Sequence, residues 1–409
     1  MPSRLLHRTL VLAAVMLAAT TGILGQEPDP PSNAPFQAGP LVLAPKVRLS
    51  NVGRDSNVFN SADEPKSDLM ATFSPSMDGW FRMAHGRASG RSQFDVYYFK
   101  NLTNLRAVDS DNSGHIEIPI NRLRPYATGS FVSTRHRQNL EIDALARRRT
   151  DTLTVGVDVK LTAKLTAGLL GTRSNLSYDA NSLYLDSDLS KLLNHKTTGE
   201  GANISYALTP YTAVGVEAFQ SHDNFAFTST RNSDNLRVAT GVSFSPRALI
   251  NGSALVGIQK RKFLNGSTSA AATGTFVTMN LTYALLGRTR FTVMARRELE
   301  YSYLFAQQDY LSSGLTLFVT QRIGDSWEVG GSVGRYRLLY ANDPLSPNAQ
   351  ALFGSADETV LMSSGNVGYN LGHSKVGVDV QYSERLTDNR ALFRGYQRLR
   401  ISSNFTYAF

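Results

Sequence analysis

The 409-residue sequence contains no cysteine. This absence excludes a disulfide scaffold, a zinc site with cysteine ligands and a lipoprotein anchor. Charged residues are scarce, at 18%, against about a quarter in ordinary soluble domains. Helical bundles and coiled coils are rich in Glu, Lys and Ala, so the low charge disfavours both. Beyond the N-terminus there is no apolar run of the ~20 residues that a membrane-spanning helix needs.

The polarity of the chain therefore comes from uncharged residues, including 32 glycines, while aromatic residues reach 10%. That aromatic content disfavours intrinsic disorder. The net charge is +9, but the arginines are dispersed along the chain, and only 147–149 form a cluster. A nucleic-acid-binding surface needs clustered cations, so we expect no nucleic-acid partner.

The N-terminus predicts export. Arg4, His7 and Arg8 precede an apolar run from Leu10 to Leu24, the pattern of a secretory signal peptide, which we place at 1–25. A membrane anchor is the alternative. Residues 26–40 carry five of the fifteen prolines and predict an extended periplasmic linker. From 41 to 409 the texture is uniform, which predicts one domain.

That texture has a period of two residues. From 153 to 161 the odd positions are all Leu or Val, while the even positions are Thr154, Gly156, Asp158 and Lys160. The same alternation recurs over 277–285 and 376–382. Strict alternation places the apolar residues on one face of a β-strand and the polar residues on the other.

The links between these segments also alternate, with eight short turns and nine longer polar loops. This rhythm predicts an all-β fold, a closed antiparallel transmembrane β-barrel of about 16–18 strands with short periplasmic turns and longer extracellular loops. The strands predicted with least support are Leu69–Ala84, which contains Pro75, and Val360–Leu371. A soluble β-sandwich or β-solenoid is the alternative fold.

The end of the chain favours the membrane barrel. The last strand alternates apolar and polar residues and ends on Phe405, Tyr407 and Phe409. Aromatic residues there would lie in the interfacial girdle. This ending is similar to the C-terminal signature that the outer-membrane barrel assembly machinery reads, so we expect these three residues to act as an assembly signal.

The polar face of each strand would line the lumen, and alternation predicts which charges point inward. The predicted lumen-lining residues are Arg48, Lys160, Arg237, Arg261, Arg290, Arg296, Arg322, Arg400, Asp158, Glu217, Glu298 and Asp379. Two alternatives stay open: a cationic lining that favours anions, or charges that pair across strands. Alternation sends Arg297 to the lipid side, which predicts a β-bulge near Ala295–Glu298.

Catalysis, a metal site and a cofactor are not expected. The histidines lack the spacing of metal ligands. The best candidate for a hydrolase site is His115 with Ser113 and Glu117, and a solvated histidine at a strand end is the stronger reading. Within 178–196, residues 187–195 predict one or two helical turns. These turns would either constrict the lumen or belong to an ordinary extracellular loop.

The segment Gly53-Arg54-Asp55-Ser56-Asn57-Val58-Phe59, followed by Ser67-Asp68-Leu69 and Phe73-Ser74-Pro75, resembles the β-barrel porin type 2 family of bacterial exopolysaccharide gene clusters. The resemblance implies a Gram-negative outer-membrane barrel that serves polysaccharide export, with export components as partners. A second possible function is the passive diffusion of anionic or saccharide solutes. The alternative to both is a plugged structural or adhesive barrel. Outer-membrane lipid and lipopolysaccharide would surround the protein.

Overall fold

The computed structural model describes residues 34–185, 187–265, 271–304, 308–340, 357–387 and 394–409. The predicted signal peptide at 1–25 lies outside these ranges. Within them, no helix is both long and apolar enough to cross a membrane.

Eighteen long antiparallel strands form one closed sheet. The strands are β1 (Leu41–Asp55), β2 (Asp68–Met83), β3 (Gly86–Phe99), β4 (Ala107–Glu117), β5 (Leu123–Thr134), β6 (Arg148–Lys160), β7 (Leu165–Tyr178), β8 (His195–Thr209), β9 (Thr212–Phe225), β10 (Ser233–Phe244), β11 (Ile250–Phe263), β12 (Ala272–Leu285), β13 (Thr289–Tyr301), β14 (Asp309–Ile323), β15 (Trp327–Tyr340), β16 (Glu358–Leu371), β17 (Ser374–Thr387) and β18 (Tyr396–Ala408).

The sheet closes where the last strand meets the first. Each strand pairs with its successor, and β18 pairs with β1 from Lys46 opposite Ala408 to Asp55 opposite Arg400. Closure pairs the backbone groups of both terminal strands, which a hydrocarbon environment requires. The prediction of a closed antiparallel barrel is confirmed, with the higher of the two strand counts.

The two faces of the wall differ as the alternation predicted. On β6, Leu153 and Val155 are 55% and 51% exposed on the outer surface, while Thr150, Thr154 and Asp158 are at most 7% exposed. Because the outer surface carries the large apolar side chains and no second layer covers it, lipid is the environment that it fits. The fold is therefore that of a transmembrane β-barrel.

The rhythm of connections is confirmed too. Eight connections of two to five residues lie at one end of the barrel, and nine of seven to seventeen residues lie at the other. Aromatic side chains gather at the short-turn end, where Trp327 contacts Tyr369 with ring centroids 4.9 Å apart and Tyr407 contacts Phe409 at 4.8 Å. These contacts are typical of an interfacial aromatic girdle, and since short turns are periplasmic in such barrels we assign this end as periplasmic.

Register holds everywhere near Ala295–Glu298, so the bulge predicted there is wrong. Arg297 does face outward, and it tolerates that position because its guanidinium donates to the hydroxyls of Thr275 and Ser313. A bulge occurs instead in β1 between Ser50 and Gly53, where Asn51 has φ 55°. Asn adopts this left-handed conformation more readily than most residues.

Proline shapes two local features. Pro75 lies within β2, and the pairing of β2 with β3 is interrupted between Phe73 and Ser76, as expected for a residue with no N–H to donate. Part of the predicted linker 26–40 lies within the described residues, and it is more ordered than predicted. Its residues Phe36–Ala38 form a strand that pairs with the start of β1.

Candidate functional site

All twelve charged residues predicted to line the lumen lie on the inward face of their strands. The register shows this directly: Glu217 and Arg261 are 7% and 4% exposed, while the adjacent Val216 and Lys260 lie on the outer surface. The alternation of the sequence therefore gives the face on which each of these side chains lies, apart from the shift at the β1 bulge.

Several acidic groups of the wall have a basic partner on a neighbouring strand. Arg124 contacts Asp158 at 2.7 Å, and Arg237 contacts Glu217 at 3.5 Å. Further pairs across or along strands are Arg296 with Glu298, Lys375 with Glu328, and Arg87 with Glu117. These pairs favour the second alternative above, in which charges pair across strands, for the part of the wall that carries them.

The β18–β1 seam carries the densest inward charge. Arg398 holds the fully buried carboxylate of Asp55, with Nε 2.9 Å from Oδ1. Arg400, two residues along, donates to the side-chain oxygen of Gln381. Arg48 interacts electrostatically with Asp379 and with an acid on β3. The closing seam is thus held by charge as well as by backbone pairing.

The extracellular mouth is crossed by the connection between β5 and β6, residues 135–147, which we call the inserted loop. Its Glu141 and Ile142 are completely buried. Asn139 donates to Glu300 at the end of β13, with 2.9 Å between nitrogen and oxygen. Since β13 is about half the circumference away from β5, the inserted loop reaches the opposite wall.

The near end of the inserted loop is tied to the connection between β1 and β2. Arg137 forms an ion pair with Asp143 of the same loop and donates to the carbonyl oxygen of Val58 at 2.8 Å. Asn60 donates to the same Asp143 carboxylate at 2.9 Å. These contacts hold the loop in a compact turn inside the barrel.

A buried charge cluster on the last strands clamps the middle of the inserted loop. Glu358 is completely buried and contacts Arg394 at 3.0 Å and Arg385 at 3.4 Å. Both arginines also donate to backbone carbonyl oxygens of the inserted loop, Arg385 to Leu140 and Arg394 to Glu141. This clamp lies beside the β18–β1 seam, so the inserted loop is held there as well as at Glu300 across the lumen.

A short helix, α1 (Leu189–Leu193), covers the inserted loop. Asp188 caps it by accepting from the Ser190 amide at 3.0 Å. Leu189 and Leu193 pack in one buried cluster with Ile142 and Tyr303. The helical turn predicted in this segment is present, and it takes part in narrowing the mouth. The inserted loop reaches further, to the opposite wall at Glu300, although the sequence predicts only an ordinary polar loop there.

Burial raises the pKa of Glu141 to about 7, although the hydroxyl of Ser302, the nearby Arg394 and the amide of Tyr303 favour its charged form. Burial lowers the pKa of His136, which lies in the same loop. Burial therefore moves the pKa of Glu141, in the inserted loop, toward neutral pH.

Relative to Glu141→Gln, we expect the wild-type inserted loop to be held more firmly at pH 5 than at pH 8, since the opposing effect of His136 acts in both proteins. A raised pKa means that insertion binds a proton, so insertion weakens as pH rises from about 4.5 to about 7 and changes little above that range. Amide hydrogen exchange of residues 135–147 measures this directly. The same pH dependence in the wild type and in Glu141→Gln would contradict the assignment to Glu141.

The hydrolase candidate gains no support from the geometry. His115 Nδ1 lies 2.8 Å from the hydroxyl of Thr128, and Nε2 lies 3.7 Å from Glu117. The structure records no hydrogen bond between His115 and Ser113, which a nucleophile and its base would share. In the described ranges, no group of three or more potential ligands could hold a metal ion.

No family model and no curated protein matches the sequence. Solved outer-membrane proteins are similar in shape. OccAB4 of Acinetobacter baumannii matches with a TM-score of 0.47 and 10% identity, over 90% of this chain and 98% of that chain. The FrpB iron transporter of Neisseria meningitidis matches with a TM-score of 0.44 and 9% identity, over 84% of this chain and 62% of that chain.

A bacterial polysaccharide outer membrane secretin matches with a TM-score of 0.36 and 10% identity, over 89% of this chain and 98% of that chain. The present chain spans only 62% of the length of FrpB. Similarity at this level concerns barrel architecture alone. The solute has to be inferred from the residues of this chain.

Proposed function

We propose that the protein is an outer-membrane pore that passes saccharides, neutral or acidic, through a lumen narrowed by the inserted loop. The observation that carries this proposal is the continuous inward polar face of an eighteen-stranded barrel. Barrels of 16–18 strands are too wide for wall side chains to fill, so they enclose water. The asymmetry of short turns and long loops is typical of outer-membrane barrels and supports that location.

The compensated wall charges refine the solute class. Where Arg or Lys pairs with Asp or Glu on the wall, the side chains present many hydrogen-bond donors and acceptors but little local net charge. Hydroxyl-rich solutes suit such a wall better than small ions, whose passage a net charge would select. Acidic sugars fit through arginines such as Arg400, whose hydrogen-bond partner is the side-chain amide of Gln381.

A role in exopolysaccharide export rests on the sequence motif alone. In the structure the motif residues hold local structure: Asn57 donates to the carbonyl oxygen of Ser61 at 2.8 Å, and Asp68 accepts from the amides of Asn101 and Leu102. Export partners, recognition by the assembly machinery and the signal role of Phe405, Tyr407 and Phe409 stay predictions. Phe405 and Phe409 are exposed on the outer surface.

A plugged structural barrel is the second candidate function, and the clamp on the inserted loop favours it. Glu141, Ile142 and Glu358 are completely buried, so the loop is packed like a core element. Under this alternative the barrel would display its extracellular loops without conducting.

Liposome swelling separates the two functions. We expect liposomes that contain the protein to swell in mono- and disaccharides and in a uronic acid, at rates that fall with solute size. A variant with residues 138–143 replaced by a Gly-Ser linker should swell faster in the larger sugars. No swelling with either protein, once folded insertion is verified, would favour the plugged barrel.

A further inference from the structure

The outer surface carries a group of cations on strands β11 to β15, formed by Lys260, Arg297, Arg335 and Arg337; we call it the outer cationic patch. Cross-strand partners share a face of the sheet. Lys260 lies opposite Leu236, and Arg335 lies opposite Leu315, both of which are nearly half exposed on the outside. The patch therefore faces the surrounding membrane and not the lumen.

The patch lies at the height of the lipid headgroups. On β15 the outward residues rise from Trp327 in the periplasmic girdle through Val329 and Val333 to Arg335, eight residues along. At ~3.3 Å per residue and a tilt of ~40° this path rises about 20 Å. Since the apolar band of such barrels is ~25 Å tall, Arg335 lies about 5 Å below its extracellular edge, from which a long arginine side chain reaches the headgroups, and Arg337 lies at the edge.

Register brings the arginines together. Ser313 of β14 pairs with Arg297 on one side and with Arg337 on the other. Strands lie ~4.8 Å apart, so the Cα atoms of these two arginines are about 10 Å apart, and Arg335 lies two residues further along β15. Arg297 donates from Nε to Thr275 and from Nη1 to Ser313 at 2.9 Å, which fixes its guanidinium flat against the wall.

The patch has excess positive charge. Arg337 contacts Asp357 at 2.6 Å. Among the residues that the structure describes, Lys260, Arg297 and Arg335 form no ion pair. The outward cations on β6 to β8 differ, because Asp151 and Glu200 lie among them on the same face. Cations that remain unneutralised at headgroup height call for an anionic ligand.

We propose that the outer cationic patch binds the phosphate groups of a phosphorylated glycolipid of the outer leaflet, with its acyl chains along the apolar wall below. Arginine guanidinium groups suit phosphate oxygens because they donate two parallel hydrogen bonds. Leu315 and Leu361 flank Arg335 on the neighbouring strands, and Val333 lies two residues below it, so apolar surface adjoins the patch. The inference rests on the outer-membrane location proposed above and is independent of conduction.

The test measures lipid binding to the folded full-length protein in neutral detergent by native mass spectrometry. Bisphosphorylated lipid A is compared with the same lipid after removal of both phosphates, and inorganic phosphate serves as a competitor. The patch variant is Arg297→Gln, Arg335→Gln and Arg337→Gln together. The matched control is Arg149→Gln, Arg173→Gln and Lys196→Gln, three outward cations on β6 to β8.

The wild-type protein and the control should bind the bisphosphorylated lipid, and the patch variant should bind it on the order of a hundredfold more weakly. The dephosphorylated lipid should bind weakly to all three proteins, and millimolar inorganic phosphate should displace little lipid. Equal losses in patch variant and control, or no loss in either, would overturn the proposal. Retained sugar permeation in the patch variant distinguishes this outcome from a failure of the proposed function.

Discussion

Replacing Asp55 by Asn should destabilise the barrel by about 3–5 kcal/mol, because it leaves Arg398 buried without a counter-charge. Asp55 is completely buried, and Arg398 holds it from two guanidinium nitrogens. The Asp55 carboxylate also accepts from the amide of Asn57. The pair joins β18 to β1, so the loss falls on the seam that completes the barrel.

Reversible urea unfolding in lipid vesicles measures this free energy. Asp63→Asn is the matched control, since Asp63 lies exposed in the next connection. Adding Arg398→Met to Asp55→Asn should recover part of the loss by removing the unpaired charge. A change below about 1 kcal/mol, the size expected of a surface ion pair, would show that backbone pairing alone closes the seam.

Replacing residues 138–143 by a Gly-Ser linker should raise single-channel conductance several-fold. The replacement removes Asn139, Glu141 and Ile142, and with them the bridge to Glu300 and the packing under α1. A wide barrel without a constriction approaches the conductance of an open cylinder of water.

The control for the loop variant is a Gly-Ser linker in place of residues 61–66, an exposed stretch of the connection between β1 and β2. Conductance in this control should match the wild-type protein. If the loop variant also conducts as the wild type does, the constriction lies elsewhere in the lumen.

Sequence patterning predicted the barrel well because lipid imposes a simple rule on each strand. A residue such as Val155 must be apolar at every outward position of the hydrocarbon band, so alternation is visible without any knowledge of neighbours. The alternation of short turns and long loops along the sequence predicts the number of strands. Inward charges such as Asp158 and Glu217 followed from the same parity.

The inserted loop could not be found this way. Its fold depends on partners far away in sequence, such as Glu300 and Arg394, and periodicity carries no information about those contacts. One local signal was present: Leu140, Ile142 and Leu145 give an extracellular loop more apolar character than solvent exposure favours. The β1 bulge had its own signal in Asn51, although Asn is common in loops as well.

The most direct test of the account is the current carried by the wild-type protein in a planar lipid bilayer under a KCl gradient. A water-filled lumen with compensated charges predicts steady single channels and a reversal potential close to zero, displaced slightly toward anions by arginines such as Arg400. Strong selectivity for either ion would contradict the charge compensation. Inserted protein that stays silent, both as wild type and with the shortened loop, would contradict the pore itself.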